Sequence, residues 1–427
     1  MIDSGKKKLI SNILWLAYNK VFMMLISLFV TVRIVNHYGS AEYGEYAYAV
    51  NVVALLEIIN TLVEVRVVKK RYTDHPKEFV VWNATVSRII TSVAALVIGI
   101  VFMLIYRGSA MLNMMLLVLM LNSIIGSLRF GMETHFEYCL NSKRMVISTN
   151  IASLLTAGLQ LAAIYFNWSI LSLCLISTAG AVVMLIMIAA QYKAIYHCGI
   201  KNQTDFSFIK TLVIESIPLT IAAASATIYT KSDSVMIEML MGDYAPVGIY
   251  AVALKLYSVV QIAIVPVRTS FFPKQMELYR SDRVRYKKLY VRVSSAMTWL
   301  CIAGIVMSIL ILPKVFPYVF EEEYSAAIPA FNWLLISLLF LYNSVLRTGH
   351  FTITGNTKVL MYTQIAGALI NILANFIMIP LVGINGAAIA TAITTFLSVF
   401  LLNIFSKDGR ELFLWQLQAF NPMYIFK

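Results

Sequence analysis

Long apolar runs dominate the chain, each near the length that crosses a bilayer, and short connections rich in Lys and Arg separate them. A span needs about 20 apolar residues, and about twelve such runs can be read. They are 10–34, 44–67, 79–106, 111–138, 146–166, 169–192, 211–240, 246–271, 289–312, 327–347, 359–381 and 386–405. In hydrocarbon every backbone polar group needs an internal partner, which confines such runs to helices. The expected fold is an all-α integral membrane protein. The composition, 60% hydrophobic and 13% charged, excludes a soluble globular domain.

Orientation follows from where Lys and Arg fall in the connections. With a cytoplasmic N-terminus, one side holds Lys6, Lys7, Lys8, the group from Arg66 to Lys77, Lys143, Arg144, Lys193, Lys201 and Lys210. The same side holds the group from Lys274 to Arg292, then Arg347, Lys358, Lys407, Arg410 and Lys427. The opposite side holds only Arg33, Arg107 and Lys314. Both termini are therefore expected in the cytoplasm. The net charge of +13 reads as a topology signal rather than a nucleic-acid surface. The first apolar run contains Lys20 and lacks a small-residue cleavage site, so it reads as a retained span. Cys139, Cys174, Cys198 and Cys301 are scattered and form no CxxC pair, so neither structural disulfides nor a zinc site is expected.

Lys20, Arg88, Arg129, Lys231, Lys255 and Arg268 fall inside the runs. A charge in hydrocarbon costs about 2.5 kcal/mol or more, so such groups face a protein interior or a watery cavity. Arg129 has Glu133 one turn along the same face. Lys231 has Asp233 nearby, and Arg268 lies near the end of its run, where it can snorkel. Lys20, Arg88 and Lys255 have no acid within a turn or two and are the leading anion-binding candidates; Lys231 and Arg268 follow. Acids balance these cations: Glu57, Glu64, Glu215, Asp233 and Glu238. A buried carboxylate can carry a proton or hold a cation. That makes Glu57 and Asp233 candidates for coupling to H+ or Na+, with an interhelical salt bridge as the competing reading. No metal site and no resident cofactor are expected. Asn19, Asn113, Asn122, Asn371 and Asn375 read as interhelical hydrogen-bonding groups. Pro218 and Pro266 are candidate kinks. The tail around Phe413, Leu414, Trp415 and Leu417 reads as interfacial.

A faint repeat runs through the chain. Gly44-Glu45-Tyr46-Ala47-Tyr48-Ala49 matches Gly248-Ile249-Tyr250-Ala251-Val252-Ala253. Asn141-Ser142-Lys143 matches Asn356-Thr357-Lys358, and Thr-x-Ile-Ala follows each, at Thr149 and Thr363. An even number of spans per half keeps both halves in one orientation. The expectation is two six-helix lobes, 1–200 and 201–406, related by a pseudo-two-fold axis along the membrane normal, with a tail at 407–427.

Several segments resemble the Wzx-type polysaccharide flippases. Arg33-Ile34-Val35-Asn36-His37-Tyr38-Gly39, then Glu42-Tyr43-Gly44-Glu45-Tyr46, is similar to their first outer loop, with Tyr38 where Leu is common. Asp233 to Ile237 with Val247-Gly248-Ile249-Tyr250-Ala251 resembles their seventh-to-eighth span region. Phe320, Glu323-Tyr324 and Ala326-Ala327 resemble the loop before span ten. Asn371, Asn375, Ile379-Pro380, Gly383 and Gly386 to Thr391 resemble the last two spans. The resemblance implies membership of the multidrug, oligosaccharidyl-lipid and polysaccharide exporter superfamily, with two lobes around a central cavity. It implies a non-enzymatic transporter of the cell inner membrane that flips undecaprenyl-diphosphate-linked oligosaccharide for O-antigen, capsule or a related surface polysaccharide. A polysaccharide polymerase and a chain-length regulator are the implied protein partners, besides membrane lipids. Two alternatives stay open: an ion-coupled multidrug or organic-cation antiporter of the same superfamily, and a membrane-embedded polysaccharide polymerase.

Overall fold

The computed structural model describes residues 4–106, 108–196 and 203–425. Arg107, Cys198, Lys201 and Lys427 of the readings above, and the side chains of Lys6, Lys7 and Lys8, lie outside the described residues. Among the described residues every regular element is helical. In order these are α1 (Ser4–Leu56), α2 (Val65–Arg71), α3 (Lys77–Tyr106), α4 (Ala110–Tyr138), α5 (Ser142–Tyr165), α6 (Leu171–Tyr196), α7 (Phe206–Met241) and α8 (Ala245–Gln261). Then come α9 (Ile264–Ser281), α10 (Arg283–Val315), α11 (Ala327–Asn343), α12 (Arg347–Ile353), α13 (Thr357–Val382), α14 (Ile384–Thr395) and α15 (Lys407–Gln418), with short 3-10 and π turns between them.

Among the described residues eleven elements are long and apolar enough to span a membrane, the first covering 54 residues from Tyr18 to Arg71. At 1.5 Å per residue that is about 80 Å, more than two hydrocarbon cores of about 30 Å. It bends at Gly39, where φ is 73° and ψ 173°, a conformation costly to any residue with a Cβ. The element therefore supplies two spans, and the expected twelve are present in a multi-pass membrane protein.

Three spans are broken among the described residues, one of them between Asn343 and Arg347. The second passes from α1 into a 3-10 turn over Glu57–Leu62, straightens at Glu64 (φ −86°, ψ 130°), and resumes as α2. The eighth stops at Gln261 and restarts at Ile264. Pro266 explains the second break, because its ring excludes the carbonyl of residue 262 and it has no N–H to donate. Pro218, by contrast, lies inside α7 without interrupting it.

The helices pack as two units, one ending at Thr227 and the other beginning at Ile228, so the division falls within α7. In the first unit α4 packs on α3 and α6, and α5 on α1 and α6. In the second, α11 packs on α8, α10 and α14, and α13 on α14. Small residues permit the closest approaches. Gly386 is such a contact point: a Cβ there would meet the Met378 carbonyl oxygen at 2.1 Å. Gly386→Ala should force α13 from α14 and cost about 1–3 kcal/mol or more, read as a lower melting temperature in detergent. Gly304→Ala is the control, with nothing within 4 Å of its Cβ, and should leave that temperature unchanged.

One corner of each unit shares a build that extends the repeat. His135-Phe136 precedes Asn141-Ser142-Lys143 at the same spacing as His350-Phe351 precedes Asn356-Thr357-Lys358. Leu140 and Gly355, each just before the Asn, both have positive φ, 52° and 74°. His135 Nδ1 lies 2.9 Å from the Tyr192 hydroxyl, and His350 Nδ1 lies 2.9 Å from that of Tyr286. The tail helix α15 packs on the second unit through Trp415, against Tyr286, Tyr290 and His350, and leaves Leu414 and Leu417 exposed.

Arg347 corrects the charge map. Placed in a connection by its sequence context, it is buried. Its guanidinium donates to Asn403 Oδ1 at 2.9 Å and Thr363 Oγ1 at 2.8 Å, bracing the irregular end of the last span.

Candidate functional site

In the first unit the polar centre is the break in the second span. The turn at Glu57–Leu62 frees carbonyls that a continuous helix would have paired, and within a bilayer each needs a partner. Arg88 of α3 provides it. Its Nη1 donates to the Asn60 carbonyl and, at 3.2 Å, to that of Val63. The guanidinium lies 4.6 Å from the Phe130 ring centroid, a cation–π contact. The Asn60 side chain locks the same point. Its Oδ1 accepts from Thr91 and Ser92, both at 2.9 Å, and its Nδ2 donates to Ser123. Glu57 is half-buried at the start of the turn. Below the break, Glu64 pairs with Arg66, and Arg71 with Glu215. Arg129 pairs with Glu133 at 2.8 Å, as their spacing indicated.

In the second unit the centre is Asp233 on α7, 3% exposed. Tyr250 Oη and Thr391 Oγ1 donate to its Oδ2 at 2.8 and 2.7 Å, and Asn375 Nδ2 donates to its Oδ1 at 2.6 Å. Around it, Asn371 Oδ1 accepts from Ser232 at 2.9 Å and from Asn375 at 3.1 Å. Asn375 Oδ1 is buried with no hydrogen-bond partner among the described residues. No cation pairs with Asp233 among the described residues. The pairing with Lys231 that the sequence suggested does not form, because residues two apart on a helix point to different sides. Burial without a counter-ion is costly for a carboxylate, and the three side-chain hydrogen bonds offset part of that cost. The oxygens of Asp233, Asn371, Asn375 and Thr391 are hard donors of the type that suits a small hard cation. No cluster of three His, Cys, Asp or Glu side chains able to hold a metal occurs among the described residues.

The remaining candidates are spread over both units. Lys20 is exposed on α1. Lys231 is half-buried on α7 and Arg268 half-buried on α9, and neither makes an ion pair among the described residues. Lys255 is half-buried on α8. Tyr250, which the sequence left unassigned, is the residue that the structure adds to the Asp233 cluster. Its signal was the repeated Gly-x-Tyr-Ala-x-Ala, in which it occupies the Tyr position of the second copy.

Residues 9–278, more than half of the chain, match the family model described as polysaccharide biosynthesis protein. The chain belongs to that family. A relative, the capsular polysaccharide biosynthesis protein CapF of Staphylococcus aureus, is 20% identical over 211 residues, 48% of this chain and 52% of the relative. The chain thus spans about half the length of that relative. Among solved structures the fold is similar to that of the lipid II flippase MurJ in an inward closed conformation (TM-score 0.73, 14% identity, 95% of this chain and 91% of that one). It is also similar to a multidrug resistance MATE family transporter of the MOP superfamily (TM-score 0.69, 15% identity, 93% and 94%). A third, a MOP superfamily transporter from Pyrococcus furiosus, gives a TM-score of 0.61 at 13% identity over 97% and 96%. This member of the polysaccharide biosynthesis family therefore has the fold of MOP superfamily transporters.

Proposed function

We propose that the chain is a flippase that carries polyprenyl-diphosphate-linked oligosaccharide from the cytoplasmic to the outer leaflet by alternating access. The observation that carries this reading is that Lys231 and Arg268 lie within membrane spans and make no ion pair among the described residues, in a chain of the polysaccharide biosynthesis family. Cations so placed suit a diphosphate, which they hold by charge-assisted hydrogen bonds. The sugar head crosses about 30 Å of hydrocarbon while the lipid tail stays in the bilayer. Lys20, Lys255, Lys231 and Arg268 are the proposed diphosphate contacts. Arg88 has its guanidinium committed to the broken span, so its proposed role is to hold the path open. The chain lies in the cell inner membrane with cytoplasmic termini, serves O-antigen, capsule or a related polysaccharide, and does no covalent chemistry. A polymerase and a chain-length regulator act after it.

Asp233 supplies the driving force in this proposal, binding H+ or Na+ in step with transport, while Glu57 is the weaker candidate beside Arg88. Asp233 is also the observation that favours the second reading, an ion-coupled antiporter of organic cations.

Reconstituted flipping of an undecaprenyl-diphosphate oligosaccharide separates the two. In liposomes, Lys231→Ala combined with Arg268→Ala should lower the rate at least tenfold, about 1.4 kcal/mol of lost interaction, with the fold retained. Flipping that persists in the double variant rejects these contacts. Absence of wild-type flipping alongside ion-driven cation efflux would favour the antiporter.

A further inference from the structure

We propose that the second unit carries a resident anionic glycerophospholipid on the outside of α10, separate from the transport path. The first observation is a face of α10 that changes character along its length. Arg285, Lys288 and Arg292 recur at i, i+3 and i+7 and are all exposed, forming one stripe about 10 Å long. The same face continues through Ala296 to exposed Leu300, Met307 and Leu310, which are 58%, 55% and 61% exposed. A helix face that turns from cations to exposed hydrocarbon faces lipid throughout, with the headgroup level near Arg292 and Ala296.

The second observation is a groove of about 530 Å³ on the hydrocarbon part of that face. Leu300, Gly304, Met307 and Ile311 of α10 form one wall, and Phe331 and Leu335 of α11 the other. The polar groups along it are turned inward: Tyr342 Oη donates to the Val260 carbonyl at 2.6 Å and Ser308 Oγ to Asn332 Oδ1 at 2.8 Å. What remains is an apolar slot. From Leu300 to Ile311 it runs about 16 Å, close to half of a bilayer core of about 30 Å. Its near end lies about 12 Å along the helix from Arg292.

A cationic stripe that ends about 12 Å along the helix from an apolar slot fits one lipid, with the distal part of its acyl chain in the slot and its phosphate on Lys288 and Arg292. Charge decides the headgroup. Of the nearby cations, Arg285 pairs with Asp282 at 3.3 Å and Lys274 with Glu277 at 2.7 Å. Lys287 and Lys288 make no ion pair among the described residues, and Arg292 donates only to the Ile425 carbonyl, at 3.0 Å. The stripe is convex and exposed, with no buried polar cradle. That suits a phosphate at the bilayer surface and gives no purchase to an oligosaccharide, so the occupant is a phospholipid rather than the polyprenyl carrier.

The test uses the full chain, purified and delipidated in detergent, then titrated with phosphatidylglycerol or phosphatidylcholine of equal chain length. Native mass spectrometry counts the bound lipid. Each basic residue near a lipid surface is worth about a fivefold preference for the anionic head, so wild type should retain phosphatidylglycerol at least about fivefold better. Lys288→Gln combined with Arg292→Gln should erase the preference. Lys288→Gln alone, which touches no other described charge, should reduce it where loss of the Arg292 bond to the tail unsettles the fold. Gly304→Trp, at a position with nothing within 4 Å of its Cβ, should fill the slot and lower retention of both lipids. Equal retention of the two lipids by wild type overturns the proposal, as does a preference that survives both Gln variants. Displacement of phosphatidylglycerol by equimolar undecaprenyl diphosphate also overturns it, by assigning the site to the carrier.

Discussion

Asp233→Asn will uncouple transport from its driving ion while leaving the protein folded. The carboxylate is buried, and its donors are Tyr250, Thr391 and Asn375. Asparagine keeps an oxygen for Tyr250 and Thr391, which both donate to one carboxylate oxygen. Its new amide N–H meets Asn375, whose own carbonyl oxygen lacks a partner and can turn to accept it. The hydrogen bonds are thus nearly conserved, and only the charge is lost. Without that charge neither a proton nor a sodium ion is held, so the stimulation of flipping by an imposed ion gradient should vanish. Coupling energies of this kind are worth about 5- to 150-fold, and the measurement is liposome flipping with and without a sodium or proton gradient. Asp233→Leu strands all three donors at about 1–3 kcal/mol each and should fold poorly, which is why Asn is the informative change. A folded Asp233→Asn protein that keeps its full gradient response would remove Asp233 from the coupling mechanism.

Arg88→Ala should be strongly destabilising. Two carbonyls of the broken second span lose their donor, at about 1–3 kcal/mol each, and the contact with Phe130 is lost as well. A melting temperature lower by about 10 °C is expected. Arg88→Lys keeps the charge but loses the planar guanidinium that lies over the Phe130 ring, so it should recover only part of the loss. A substrate-binding arginine would behave in the opposite way: alanine would spare the melting temperature and raise the substrate concentration needed for half-maximal flipping. Thermal melting beside flipping kinetics decides between a bracing and a binding role.

Local features were legible in the sequence. The runs 79–106 and 111–138 became helices within a few residues of the expected ends, whereas the run 246–271 became two helices that extend to Ser281. Pro266 marked the break in the eighth span, and Arg129 and Glu133, one turn apart, do pair. Long-range features were not. Arg88 finds its carbonyls 28 and 25 residues away. Asp233 draws donors from 17, 142 and 158 residues away, which no spacing rule connects. Lys231, two residues from Asp233, looked like its partner and is not. Arg347 looked like a loop cation and lies buried between Thr363 and Asn403.

The division has one physical cause. Hydrocarbon offers the backbone no partner, so an apolar run of sufficient length must close its own hydrogen bonds as a helix, and composition alone determined the all-helical membrane class and the number of spans. A helix also presents every side chain somewhere around its axis. Which cations brace a break, which acid is buried without a counter-ion, and which face meets lipid depend on how each helix is rotated against its neighbours. That rotation is set by contacts such as those of Asn375 and Thr391 with Asp233, between residues far apart in the chain, and only the tertiary structure decided it.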